Sequence, residues 1–351
     1  MHTLSITTPP DSMTVISARK TILFCLSDEE MDWFFPAFNS HGLNANVRRF
    51  NTTKTDRLEF WRTLHDVRPD VLVTCWSTPP LPESDGICWK PAYICHLSGS
   101  IRTLVPRSML LNGVVASNWG TLAAVAVAEH ALLLTLAAQR RMPRWTKLLK
   151  APYEQHTELR IRLKTQSLTG KKIGLHGFGA IARHIVKLLK PFDVSISAYS
   201  EGVPASLMRE HNVESCADLA ELFRTSAVLI EVEALTPATT GIVSAELLEL
   251  LPRDAIFVNV GRGKVVDEVA LARLAADGRI RIAIDVYQEE PLSHASPLFD
   301  LEDAVLSPHI AGPTSDLFSK CAALAESNLR RFLNGDPVEA AISLSQYDRS
   351  T

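Results

Sequence analysis

Short apolar runs alternate with polar or glycine-marked stretches along most of this chain. Runs of about four to eight apolar residues bounded by turn signals read as buried strands. Thr21 to Leu26 (TILFCL) is the first such run, Arg48 and Phe50 sit in a possible second, and Asp70 to Cys75 (DVLVTC) is a third. The third ends in Trp76-Ser77-Thr78-Pro79-Pro80, and a further strand from Tyr93 to Leu97 closes on Ser98-Gly99-Ser100. Both are loops at the carboxyl ends of strands, where open α/β sheets place ligands. Later strands are expected at Val194 to Tyr199, Ala227 to Val232, Ala255 to Val260, Ile280 to Val286 and Val305-Leu306. Between them, Asn118 is expected to cap an Ala/Leu-rich helix running to about Gln139, apolar nearly all round and so buried. Ser244 opens a short helix that Pro252 stops, and Asp267 caps another that Gly278 ends. Thr314 to Asn334 reads as a long amphipathic helix ended by Gly335. Arg140 to Thr169 is polar and basic and fits either helix or loop, and residues 1 to about 18 are expected to be loosely ordered. Strands alternating with helices predict an α/β fold with parallel sheets covered on both faces.

Composition narrows the function classes. At 351 residues the chain is long for one domain and comfortable for two. Hydrophobic content of 46% and charged content of 21% are those of an ordinary soluble globular protein. A formal net charge of −3 offers no basic footprint, which argues against nucleic acid as a partner. Cys25, Cys75, Cys88, Cys95, Cys216 and Cys321 show no metal-ligand spacing, so no metal site is expected and the thiols read as reduced. MHTLSITTPPDSM carries neither a basic nor an apolar signal region, and the greasiest stretch, Leu122 to Ala138, is interrupted by Glu129 and His130. A core helix rather than a membrane span, and a cytoplasmic location, are the expectations.

The chemistry centres on Lys172 to Ala182, KIGLHGFGAIA. Ile173 and Leu175 alternate as in a short buried strand. Gly177-Phe178-Gly179-Ala180-Ile181-Ala182 then turns into a helix bearing Ile181, Ile185, Val186 and Leu189, which Pro191 stops. In that context a G-x-G-x-x-G/A string has a physical meaning. The first glycine permits the tight turn, the second admits a pyrophosphate to the backbone, and the third small residue packs helix on strand. The helix N-terminus offers free N–H groups to the anion.

Three later strings complete a pattern: Asn259-Val260-Gly261-Arg262-Gly263-Lys264-Val265-Val266-Asp267, Ile284-Asp285-Val286-Tyr287-Gln288-Glu289-Glu290-Pro291 and Ser307-Pro308-His309-Ile310-Ala311-Gly312. Together with the glycine turn, Val127-Ala128-Glu129-His130 and Leu168-Thr169-Gly170-Lys171, they resemble the D-isomer-specific 2-hydroxyacid dehydrogenases over roughly residues 70 to 340. The resemblance implies two Rossmann-like/flavodoxin-like domains with doubly wound parallel sheets and an active-site cleft between them. Residues 1–118 would begin a substrate domain, 119–309 would form an NAD-binding Rossmann domain, and 310–351 would return to the substrate domain. The implied activity is hydride transfer between NAD(H) and C2 of a D-2-hydroxy acid or 2-oxoacid, by a homodimer acting on a small molecule. His309 would be the acid/base, since imidazole titrates near pH 6.5. Glu290 would orient the ring, and Arg262 would hold the substrate's carboxylate and carbonyl. Ser98, Gly99 and Ser100 would contribute to the substrate site, with Trp76, Ser77, His96 and Arg102 as further candidates for its lining. Gly177, Gly179, Ala180, Ile181, Ser200, Thr236, Val260 and Asp285 would line the cofactor site, Asp285 by accepting from the nicotinamide carboxamide.

The chain also departs from the family pattern. Ser200, followed by Glu201, occupies the strand end that usually carries an acid for the adenosine ribose. No cation follows closely to seat a phosphate, so NAD is expected with NADP not excluded. Val232-Glu233-Ala234-Leu235-Thr236 lacks the usual His and Pro of the adenine pocket. Gly99-Ser100-Ile101-Arg102 lacks the usual acid, which leaves the substrate's identity open. A dinucleotide-sensing binding protein, similar to the C-terminal-binding-protein corepressors, is the alternative on the same scaffold.

Overall fold

The computed structural model describes residues 19–36, 42–53, 56–83 and 89–349; Cys88 and the N-terminal stretch expected to be loose lie outside them. Two parallel sheets organise the chain. The first contains β1 (Thr21–Leu26), β2 (Asn46–Asn51), β3 (Val71–Thr74), β4 (Tyr93–His96) and β5 (Val115–Ser117), in the order β2-β1-β3-β4-β5. The second contains β6 (Lys172–His176), β7 (Ser195–Tyr199), β8 (Glu214–Ser215), β9 (Val228–Glu231), β10 (Ile256–Asn259), β11 (Arg281–Ile284) and β12 (Val305–Leu306), in the order β12-β11-β10-β9-β6-β7-β8. These are the flavodoxin-like and Rossmann strand orders, each reversing direction once, and ligands bind where the order reverses. The reversals lie between β1 and β3 and between β6 and β9.

Strands buried on both faces explain the near-continuous apolar runs of the sequence. Along β1, Ile22, Phe24 and Leu26 enter one core while Leu23 and Cys25 enter another. In the second sheet, Val228 and Ile230 point to one face and Leu229 to the other. That period of two places a hydrophobic layer on each side of every central strand.

The helix Leu122–Gln139 joins the two halves. By length and composition it is apolar enough to cross a membrane. Its Ala128, Ala131, Leu134 and Ala138 instead pack into the core of the second sheet, as the all-round apolar pattern suggested. Asn118 does not cap it. Thr121 stands at the cap position, and Asn118 Oδ1 accepts from Gly120 N at 2.9 Å, shaping the turn that precedes the helix. Arg140 to Thr169, ambiguous in sequence, contains short helices at Trp145–Leu149 and His156–Arg162. The amphipathic helix Ser315–Asn334, ended by Gly335 in the left-handed region, brings Cys321, Ala322, Ala325 and Leu329 back against the first sheet. Tyr347, in the last helix (Leu344–Arg349), also joins the core of that sheet. On that basis we propose domain boundaries near residues 118 and 309.

Candidate active site

The glycine turn has the shape its sequence implies. Gly177 sits at φ +97°, and a Cβ there would stand 2.7 Å from the backbone nitrogen of Glu233, so glycine is required by both conformation and space. At Gly179 an added Cβ would meet nothing within 4 Å, so the helix Ala180–Leu189 opens its N-terminus onto free space. Its first-turn N–H groups have no intrahelical acceptors, and no acidic side chain lies in that turn to compete with an anion. Ala182 is fully buried, packing helix on strand. A diphosphate fits this end of the cleft.

The cleft between the sheets has a volume of about 760 Å³. Arg262, His309, Asp285, Val260, Gly179, Ala180, Ile181, Ser98, Gly99 and Ser100 line it. Arg262 stands three residues after β10, in a closely packed turn. A Cβ at Gly263 would overlap the Tyr287 carbonyl carbon at 1.9 Å, so Arg262 projects from a turn that only glycine lets pack so closely. Its Nη1 donates to the Gly261 carbonyl at 2.7 Å. Burial lowers its pKa and the nearby Glu290 charge raises it, an arrangement that keeps a guanidinium beside a carboxylate.

His309 and Glu290 meet directly: His309 Nδ1 lies 2.6 Å from Glu290 Oε2. A carboxylate accepts only, so Nδ1 carries the proton and Nε2 is left for a ligand. Glu290 Oε1 also accepts from Tyr287 N at 3.0 Å, fixing the carboxylate that fixes the ring. His309 has φ +54°, a left-handed conformation that costs a non-glycine residue about 1–2 kcal/mol. Such strain clusters at functional positions.

Asp285 supplies the restraint. It is fully buried at the end of β11, and Oδ1 accepts from Ser307 Oγ at 2.5 Å and Ile310 N at 3.0 Å, while Oδ2 accepts from Ala311 N at 2.9 Å. Burial pushes its pKa up, but hydrogen bonds from His130, Ser307 and these backbone groups bring it below the ordinary value. His130, from the long helix, lies 2.9 Å from Ser307 Oγ. The segment carrying His309 is therefore clamped from two elements. Oδ2 has one acceptor position beyond Ala311 N, which suits a carboxamide donor.

Not every expected residue reaches the cleft. Glu290 stands behind His309 rather than on the wall, and Gly177 lies beneath the turn. Thr236 is also off the wall: its N–H donates to Thr239 Oγ1 at 2.7 Å, closing a local turn. Ser77 is held by Glu30, and Arg102 Nη1 donates to the Asp348 carbonyl at 3.4 Å, whereas Trp76 does line the cleft. His96 is buried behind Ser98, with Nε2 at 2.6 Å from Ser98 Oγ and Nδ1 at 3.0 Å from Thr74 Oγ1.

Two further residues, to which the sequence pattern assigns no role, line the cleft. Trp119 lines the cleft, its indole 3.0 Å from where a Gly99 Cβ would be. Glu233 also lines it, and its Oε2 accepts from Ser200 Oγ at 2.8 Å. The strand end that lacks its own acid thus receives one from the loop after β9, on the far side of β6. Just below, buried His176 and Glu231 pair across the β6/β9 reversal, and Glu231 Oε1 accepts from Glu233 N at 2.8 Å. Burial lowers the His176 pKa, but the Glu231 and Glu233 charges outweigh it and the net direction is upward.

Residues 132–311, half of the chain, match the NAD-binding domain model of the D-isomer specific 2-hydroxyacid dehydrogenases. The D-3-phosphoglycerate dehydrogenase of Methanocaldococcus jannaschii is 30% identical over 233 residues, covering 66% of this chain and 44% of that protein. The glyoxylate/hydroxypyruvate reductase of Arabidopsis thaliana is 31% identical over 234 residues, covering 66% of this chain and 70% of that protein. In fold, the apo D-mandelate dehydrogenase of Rhodotorula graminis superposes with a TM-score of 0.79 at 20% identity, over 93% of this chain and 98% of that one. NAD is accordingly the cofactor for which the glycine turn and its helix are built. The chain belongs to the D-isomer specific 2-hydroxyacid dehydrogenase family.

Proposed function

We propose that this protein interconverts a D-2-hydroxy acid and its 2-oxoacid, with His309 as the proton donor and acceptor. The single observation that carries the reading is the His309–Glu290 contact of 2.6 Å, with His309 on the same cleft as Arg262. NAD, held by the glycine turn and the N-terminus of the helix Ala180–Leu189, would supply the hydride chemistry at C2. The chain's residues do the rest. Arg262 binds the carboxylate with its planar fork and polarises the C2 oxygen, and the Ser98–Ser100 loop faces it across the cleft. In oxidation, His309 Nε2 takes the hydroxyl proton as the C2–H bond gives up its electron pair. In reduction the same atom returns a proton to the carbonyl oxygen. Glu290 holds the ring through Nδ1 and balances the imidazolium. The helix Ala180–Leu189 receives the pyrophosphate at its N-terminus. Glu233 and Ser200 take the adenosine ribose hydroxyls, and Glu233 repels a 2′-phosphate, which favours NAD over NADP.

The test is oxidation of NADH against a panel of 2-oxoacids, followed by chiral analysis of the product. The reading expects saturable turnover and a D-2-hydroxy acid. Tight NADH binding with no turnover of any acid would favour a dinucleotide-sensing protein instead.

A further inference from the structure

The substrate end of the cleft carries an aromatic wall. Trp76 lies just beyond β3, at the strand-order reversal of the first sheet, and is 52% exposed although it is one of the largest apolar side chains. It is not loosely held. Cys75 N donates to Thr78 Oγ1 at 2.9 Å, and Thr78 Oγ1 donates to the Cys25 carbonyl at 2.7 Å, stapling the turn to β1. Glu30, only 3% exposed, accepts from Ser77 N at 2.8 Å and from Ser27 N at 2.9 Å. A buried carboxylate and the Thr78 hydroxyl thus fix the backbone that presents the indole.

The ring is braced by other rings. Its centroid lies 6.0 Å from Trp119 at 68° and 6.4 Å from Phe318 at 72°, both edge-on, and 6.0 Å from Phe34. Edge-to-face packing is the preferred arrangement for aromatic rings, and another ring can join such a cluster on the same terms. Trp119 also packs on Gly99, within the loop assigned to the substrate's carboxylate side. The wall therefore begins beside the group that every 2-oxoacid shares and continues outward, where the variable substituent must go.

We propose that the substrate's C2 substituent is an aryl or arylmethyl group, packed against the wall that Trp76 and Trp119 form; the proposal rests on the dehydrogenase reading above. A hydrogen, methyl or hydroxymethyl substituent is too short to cover Trp76 and leaves a braced indole in water. A phosphorylated substituent would need a second cation. Arg349 does line the cleft, but it is exposed and its Nε donates to the Ser345 carbonyl at 3.2 Å. The fixed, apolar Trp76 wall is the better-defined feature.

Two measurements test this. Steady-state reduction of phenylpyruvate and phenylglyoxylate is compared with that of glyoxylate, pyruvate, hydroxypyruvate and its phosphate ester. The proposal expects kcat/KM at least about ten-fold higher for the better aryl acid than for any of the others, the order of gain from one well-filled apolar pocket. Trp76→Ala should lower the phenylpyruvate-to-pyruvate ratio by about ten-fold, and Trp76→Phe should retain it. Calorimetry of phenylacetate and acetate with the NAD⁺-loaded protein gives a second readout, with phenylacetate expected to bind at least about ten-fold tighter. A small or phosphorylated acid equal to or better than the aryl acids overturns the proposal but leaves the dehydrogenase reading intact. If no oxoacid is reduced, that underlying reading fails, and phenylacetate binding no tighter than acetate overturns the aromatic pocket as well. Should Trp76→Ala fail to fold, Trp76→Leu is measured in its place, and an unchanged ratio overturns the proposal.

Discussion

Glu233 gains its importance from a contact between residues 33 positions apart, Ser200 and Glu233. Read along the strand, Ser200 is a missing acid and cofactor preference looks weak. Read across the sheet, a carboxylate stands on the Ser200 hydroxyl and is itself held by Ala234 N at 2.9 Å and, through Glu231, by its own backbone. The wild type should therefore prefer NADH over NADPH by more than the one or two contacts of a bare serine would give. Glu233→Gln should lower that preference by about ten-fold, the value of one charge contact. Steady-state kinetics with both cofactors decide this, and an unchanged ratio would remove Glu233 from cofactor selection. His96 makes a second prediction at this scale. Burial pushes its pKa from 6.5 down to about 4, so the folded protein keeps it neutral over a range where the unfolded chain is protonated. Stability should fall as pH drops from 6.5 toward 4, by up to about 3 kcal/mol from this residue, and level off below. Urea unfolding across that range, for wild type and His96→Gln, should show the steeper decline only in the wild type.

Among the elements, the sequence was most legible where one physical rule acted alone. Gly177 and Gly179 were readable because a strand, a positive φ and a helix N-terminus each leave a local mark. Asp267 and Ser244 do cap their helices, accepting from Ala270 N and Leu247 N. Asn118 misled because a residue that shapes a turn and one that caps a helix have the same side-chain chemistry. The pairing of His176 with Glu231 had no local signature, since each looks like a lone polar residue ending an apolar strand. Its energetics follow from burial at 2% and 0% side-chain exposure. Glu231→Leu or His176→Leu alone should cost about 3–5 kcal/mol by stranding the other charge, whereas the double replacement should recover most of that. Denaturant midpoints of the three variants check it, and single variants as stable as wild type would show that the pair is not ionised in the native state.

At the scale of the molecule, the reactive atoms sit between two sheets and are still open to solvent, with the His309 side chain 46% exposed. Chemistry that must exclude water calls for closure about Asn118–Gly120 and His309–Gly312, the places where the chain passes between the halves. Small-angle scattering should show a smaller radius of gyration with NADH plus a 2-oxoacid inhibitor than without, and identical curves would argue against closure. The two-sheet architecture was legible because parallel strands buried on both faces leave unmistakable apolar runs. The aromatic wall was not, because Trp76, Trp119 and Phe318 come from three distant segments. The central claim is that His309 moves the proton at the substrate oxygen. His309→Asn, assayed for NADH binding by fluorescence and for 2-oxoacid reduction at saturation, tests it most directly. The account predicts unchanged NADH affinity and a kcat lower by roughly 10²–10⁴-fold, the usual worth of a positioned acid–base group; a kcat equal to that of the wild type would contradict it.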